Sequence, residues 1–94
     1  MSIVAETKTV NTVRKEELDW SAEMNLTSPA DTIATSTWTA DNGLVIDSSA
    51  NTASTATATI SAGRLGAYCL LKNEIVTAGG FTYDRTLVIE IVPT

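Results

Sequence analysis

Two glutamates near the C-terminus, Glu74 and Glu90, are the first residues whose type and placement could do chemistry. A carboxylate pair on adjacent strands can divide the work of general acid and nucleophile, as in glycoside hydrolysis. Both fall on outward strand phases, with Lys72 and Arg85 close by in sequence, so cross-strand charge pairing is the plainer expectation. Cys69 is the one thiol and there is no histidine, so the chain holds no base of the kind that activates a Cys or Ser nucleophile. A single thiol and no histidine exclude histidine acid–base chemistry, a Cys/His zinc site and a disulfide framework within one chain. Asp19, Asp31, Asp41 and Asp47 sit beside turns and could offer calcium oxygen ligands. They show no EF-hand spacing, and Asp41-Asn42-Gly43 is better explained as turn chemistry. Gly63, Gly66, Gly79 and Gly80 open no helix and no Lys-Ser/Thr follows them, so they form no phosphate loop. The expectation is no catalytic residue, no cofactor and no metal.

The rest of the composition agrees. Ninety-four residues make one small domain. Six basic residues against eleven acidic ones leave a net charge of −5, the wrong sign for a surface that neutralises phosphates. Nucleic acid is therefore not an expected partner. No apolar window is long enough to span a bilayer and the first residues carry no basic leader, so neither a membrane nor an export signal is expected.

The elements that must position these residues are strands. Thr, Val and Ile supply thirty of the 94 residues, and their branched Cβ atoms fit a pleated sheet better than a helix. Period-two alternation predicts strands over 18–22, 32–40, 44–48, 55–60, 67–77 and 83–92. In 18–22 Leu18, Trp20 and Ala22 share one face. In 32–40 Ala34, Ser36 and Trp38 share one face and Ile33 lies with the threonines on the other. Asn42-Gly43 predicts a hairpin joining 32–40 to 44–48. Residues 49–54 read as a loop, as does 25–31 around Pro29. The expected core is Trp38, Leu44, Ile46, Ala58, Ile60, Leu71, Ile75, Leu87, Ile89 and Ile91, with Cys69 beside it and Asn73 as an inward polar group that must find a partner.

Two sheets face to face bury such strands. The predicted fold is an all-β, immunoglobulin-like antiparallel sandwich of about six or seven strands with no disulfide. Residues 1–17 are expected to form an arm or edge strand, ordered either on the body or by a partner, and 18–94 the sandwich. Surfaces for contact are Trp20, the aromatic set Tyr68, Phe81 and Tyr83, expected at one end of the sandwich, and Val10 and Val13 in the arm.

Three stretches carry a resemblance. Asp19-Trp20-Ser21-Ala22 forms one element. Asp31, Thr32, Ile33, Ala34, Ser36, Trp38 and Thr39, followed by Gly43, Leu44 and Ile46, form a second. Asp84, Arg85, Thr86, Leu87 and Ile89 form a third. Together they resemble the tailed-bacteriophage fibre–tail adaptor family, over about residues 18–92, with Lys72 standing where Thr is usual. The resemblance implies a non-enzymatic virion component, assembled in the host cytoplasm and present in several copies. Its partners would be other virion proteins of the tail, fibre, portal or major capsid. Two other roles stay open: a capsid cement protein, and a free-standing carbohydrate- or receptor-binding module using Tyr68, Phe81 and Tyr83.

Overall fold

The computed structural model describes residues 3–94, with side chains from Glu6 onward. Seven strands and one helical turn follow one another: β1 (Ile3–Thr9), β2 (Arg14–Asp19), α1 (Ser21–Met24), β3 (Ile33–Ala40), β4 (Leu44–Asn51), β5 (Thr55–Ala62), β6 (Tyr68–Thr77) and β7 (Thr82–Val92). They form a sheet of four, ordered β1-β7-β6-β3, and a sheet of three, ordered β2-β5-β4. Residues of both sheets enter one core, and the body measures 47 × 22 × 15 Å.

The alternating stretches behave as branched and small residues dictate. In β5 Ala56, Ala58 and Ile60 are buried and the threonines between them are half-exposed. In β6 Cys69, Leu71, Asn73 and Ile75 line the inner face, and in β7 Leu87, Ile89 and Ile91 do. Of the expected core, only Ile46 is half-buried; a register shift between Ile46 and Ser48 turns β4 away from the interior there. The strand itself continues to Asn51, through residues expected as a loop.

Four expectations need correction. The pairings are not all antiparallel: β1 lies parallel to β7, Ile3 against Thr86 through Thr9 against Val92. Residues 18–22 are not a strand. The chain leaves β2 at Asp19, whose Oδ1 accepts the Ser21 N–H at 2.8 Å, and coils into α1. Ile33 is inside, because a shift between Ile33 and Thr35 inserts Ala34 as an extra residue and brings Ile33 onto the face of Trp38. Finally, 32–40 and 44–48 are not a hairpin. Asn42 and Gly43 do adopt positive φ, 53° and 85°, but the tight turn carries the chain from one sheet to the other. The segment 1–17 contains two elements in different sheets, β1 and the first part of β2, and the 17/18 boundary falls inside β2.

The three links β1–β2, β3–β4 and β5–β6 lie at one end of the body. The β2–β3 segment with α1, the β4–β5 link and the β6–β7 link lie at the other. The registers fix this: Tyr68 pairs with Glu90 and Leu44 with Ala62 at the first end, and Ile33 pairs with Thr77 and Asp19 with Thr55 at the second.

Candidate interaction ends

At the second end Trp20 is a plug. The turn after Asp19 swings its ring inward until 1% of it is exposed. Its Nε1 donates to Asn73 Oδ1 at 3.0 Å, and the Asn73 amide donates to Ser36 Oγ at 2.9 Å and to the Thr37 carbonyl at 3.2 Å. The inward amide on β6 therefore ties β3, β6 and the β2–α1 corner together. Arg85 lies over the Trp20 ring, 4.3 Å from its centroid, and holds Glu23 of α1 at 2.9 Å while donating to the Asp19 carbonyl. Tyr83 packs beside Trp20 with ring centroids 6.3 Å apart. Trp20 is thus corrected from a contact residue to a core residue, since a ring without surface has nothing to offer a partner.

The same end is clamped by Asp31. Its Oδ1 accepts the N–H groups of Thr32 at 2.8 Å and of Gly79 at 3.0 Å. The Thr77 hydroxyl, more than these two amides, holds its pKa below the ordinary carboxylate value. Hydrogen bonding by Ser21 likewise lowers that of Asp19.

The first end has a different surface. Val13, Val45, Leu65, Tyr68 and Leu70 are all exposed there, five of the seven large apolar side chains that are exposed among the described residues; Leu26 and Phe81 are at the plugged end. Val10 lies at the first end too, half-buried against the core. The expected aromatic set is therefore split: Tyr68 stands at the start of β6 and Phe81 before β7, at opposite ends of antiparallel partners. The backbone beneath the apolar end is tight. The Asn42 and Gly43 carbonyls accept from Arg64 and Gly63, Asn42 Nδ2 donates to the Tyr68 carbonyl, and the Leu70 N–H donates to Asp41 Oδ1 at 2.7 Å. Asp41 is thus employed in holding a turn.

A polar cluster seals the edge shared by β1 and β2. Arg14 Nη2 lies 2.9 Å from Glu16 and 3.4 Å from Glu6, and Arg14 Nη1 donates to the Thr7 carbonyl at 2.9 Å. Lys8, 3% exposed, donates through Nζ to the carbonyls of Thr9 and Ala62. Burial, with Arg14 second, lowers the Lys8 pKa; burial, with Glu6 second, raises that of Glu16.

Glu74 and Glu90 do not converge. Glu74 pairs with Asp84 and Glu90 with Tyr68, six positions apart along β6, and Lys72 lies 3.6 Å from Asp84 and 4.0 Å from Glu74. Arg85, expected near them, serves Glu23 instead. Among the described residues no three of His, Cys, Asp and Glu gather as metal ligands, and no helix is long and apolar enough to cross a membrane.

A family model described as the podophage GP4 fiber-tail adaptor protein gp77 matches residues 8–90. No curated protein matches the chain. The matched span takes in β2 through most of β7, with the Trp20 plug, the Asp31 clamp and every turn of the apolar end.

Proposed function

The chain belongs to the podophage fiber-tail adaptor family, a family of virion structural proteins acting through protein contacts, and we propose that its apolar end is the surface that makes those contacts. The carrying observation is the exposure of Val13, Leu65 and Tyr68 in or beside the links at one end of a 47 Å body, with Val45 and Leu70 near that end on the outer faces of the two sheets. Scattered single apolar residues are ordinary on a protein surface, whereas a group on one end marks a place meant to be covered. The body behind it is an immunoglobulin-like sandwich that works as a rigid spacer. In this reading it is a non-catalytic part, which the separation of Glu74 and Glu90 by six strand positions supports. Its neighbours in the particle are tail or fibre proteins, several copies of the adaptor surrounding the tail.

Cryo-electron microscopy of particles assembled with the natural chain and with Leu65→Lys/Tyr68→Lys tests this. Density at the tail or fibre attachment, lost in the variant while its melting temperature stays put, is the expected result. Density between major capsid subunits would make the protein a cement. Its absence from particles altogether would leave the binding-module reading.

A further inference from the structure

β1 is the exception among the strands. Parallel register partners point to the same face, so Glu6 beside Ile89 and Lys8 beside Ile91 aim inward. Where β7 and β6 deliver Leu, Ile and Cys to the core, the described part of β1 delivers an acid and a base. Inward charges are a device that keeps an edge strand from recruiting strangers. They also make the strand separable. Out in water Glu6 and Lys8 recover their hydration, and Arg14 and Glu16 stay paired behind it at 2.9 Å.

What holds β1 is a specific set of contacts. Its backbone pairs with seven residues of β7, Lys8 Nζ reaches the Ala62 carbonyl, and Arg14 reaches the Thr7 carbonyl and Glu6. Four residues, Val10 to Val13, connect it to β2. They are folded back by a Thr12 N–H to Thr9 carbonyl bond of 3.2 Å and a Thr9–Thr12 hydroxyl contact of 2.6 Å. This link sits in the apolar end, and Val13, 63% exposed, is part of it.

We propose that β1 is exchanged between two copies of this chain, each laying its Ile3–Thr9 strand on β7 of the other. The occupant follows from the seat. A strand that pairs in this register, brings a cation to the Ala62 carbonyl and offers a carbonyl and a carboxylate to Arg14 is β1 itself, so a second copy supplies what the first gives up. Exchange leaves these contacts unchanged in number and kind. The balance is then set by what is new. Opening the link between Thr9 and Arg14 brings the two apolar ends together and covers Val13, Leu65 and Tyr68 on both copies. The exchange rests on the reading that this end is a contact surface, and names the first partner on it.

The test uses the full chain. Thr7 and Glu90 are register partners on β1 and β7. One preparation carries Thr7→Cys, a second Glu90→Cys, and the two are refolded together and treated with a short thiol cross-linker. The natural Cys69 is fully buried and stays out of the reaction. Exchange predicts a covalent dimer on a denaturing gel, none when Thr37→Cys replaces Thr7→Cys, and a doubling of the mass of the natural protein in solution as concentration rises. A chain carrying both Thr7→Cys and Glu90→Cys serves as the second readout: cross-linking within monomers means β1 stays at home. That result, a dimer without the mixed cross-link, or a monomer at every concentration overturns the exchange. If Leu65→Lys/Tyr68→Lys still empties the particle in that case, the apolar end keeps its role with a different partner. If that variant enters particles normally while the mixed cross-link forms, the exchange stands and the end is not the particle contact.

Discussion

The two ends of this sandwich solve the same problem in opposite ways. Each must close a gap between two sheets. At one end the chain folds Trp20 and Met24 into the gap and fastens them with the Asn73 amide and Arg85 on Trp20 and the Asp31 N–H on the Met24 carbonyl. At the other, four of the six positive-φ residues among those described lie in two links, with a fifth, Ala62, closing β5 beside them, and Val45, Leu65 and Tyr68 are left facing outward. An end that uses its large side chains internally is finished as it stands. An end that uses backbone turns for closure leaves its apolar side chains for something else. That difference separates a stability role from a contact role, and it can be attacked from both sides.

Removing the plug carries the largest expected effect. Trp20→Ala deletes the largest fully buried side chain among the described residues, so unfolding in denaturant should show a loss of about 3–5 kcal/mol. Leu65→Ala and Tyr68→Ala, at exposed positions, should stay within about 0.5 kcal/mol. Equal losses at the two ends would erase the distinction.

Closure by backbone at the apolar end is tested next. Gly63 has φ 106°, and a Cβ there would lie 2.5 Å from Ile91 Cδ1. Gly63→Ala should destabilise by about 1–3 kcal/mol, as overpacking does. A neutral result in the same denaturant measurement would mean the link relaxes freely and the end is not held by its turns.

Asn73→Ala strikes the tie beneath the plug. It strands the Trp20 N–H, and a buried donor without a partner costs about 1–3 kcal/mol. The indole signal should also shift in a proton NMR spectrum, which a purely distant effect would not produce. An unchanged indole N–H resonance would remove Asn73 from the account of the plugged end.

These two ends were not equally legible from the amino-acid sequence. Ala56-Thr57-Ala58-Thr59-Ile60 announces a strand because every second residue is apolar and all are compatible with a sheet. The inner row of β6, including Asn73, is readable for the same reason. Leu18 to Ala22 alternates equally well, and there the rule misleads. Asp19 caps the Ser21 amide and helix formers follow, so a local hydrogen bond overrides the pattern. An Asp two residues before a Ser-Ala-Glu-Met run was the available signal. The bulges at Ala34 and Asp47 leave no such trace, since an extra residue changes facing without changing composition. Asn42-Gly43 specifies a reversal but is silent on whether the strands it joins pair or part. The parallel seat of β1 is silent too, because no turn joins parallel neighbours. Hence strand phases were legible, whereas the placing of Val13, Val45, Leu65 and Tyr68, from four separate segments, at the same end was not: it depends on topology, which alternation does not encode.

The smallest expected effect is in the acid limb, where the comparison takes an electrostatic form. At the plugged end the hydroxyl of Thr77, then the amides of Thr32 and Gly79, hold the Asp31 carboxyl below its ordinary value. A depressed carboxyl binds fewer protons folded than unfolded. It therefore adds stability above the ordinary aspartate value of 3.8, and this is lost as pH falls through the lower folded value. Glu16, at the seal between β1 and β2, runs the other way. Burial raises its pKa, so its contribution is fullest below the ordinary glutamate value of 4.5 and disappears as pH rises through the higher folded value. Melting temperatures taken from pH 7 down to pH 3 should then separate the plugged end from the β1–β2 seal. Asp31→Asn should flatten the fall below the ordinary aspartate value, because the amide gives up the charged clamp and no proton is taken up there on unfolding. Glu16→Gln should act only at higher pH, removing a slope of opposite sign between the ordinary glutamate value and neutrality. The same response from both variants would show that the acid limb reports the net charge of −5 and not the two separate constructions.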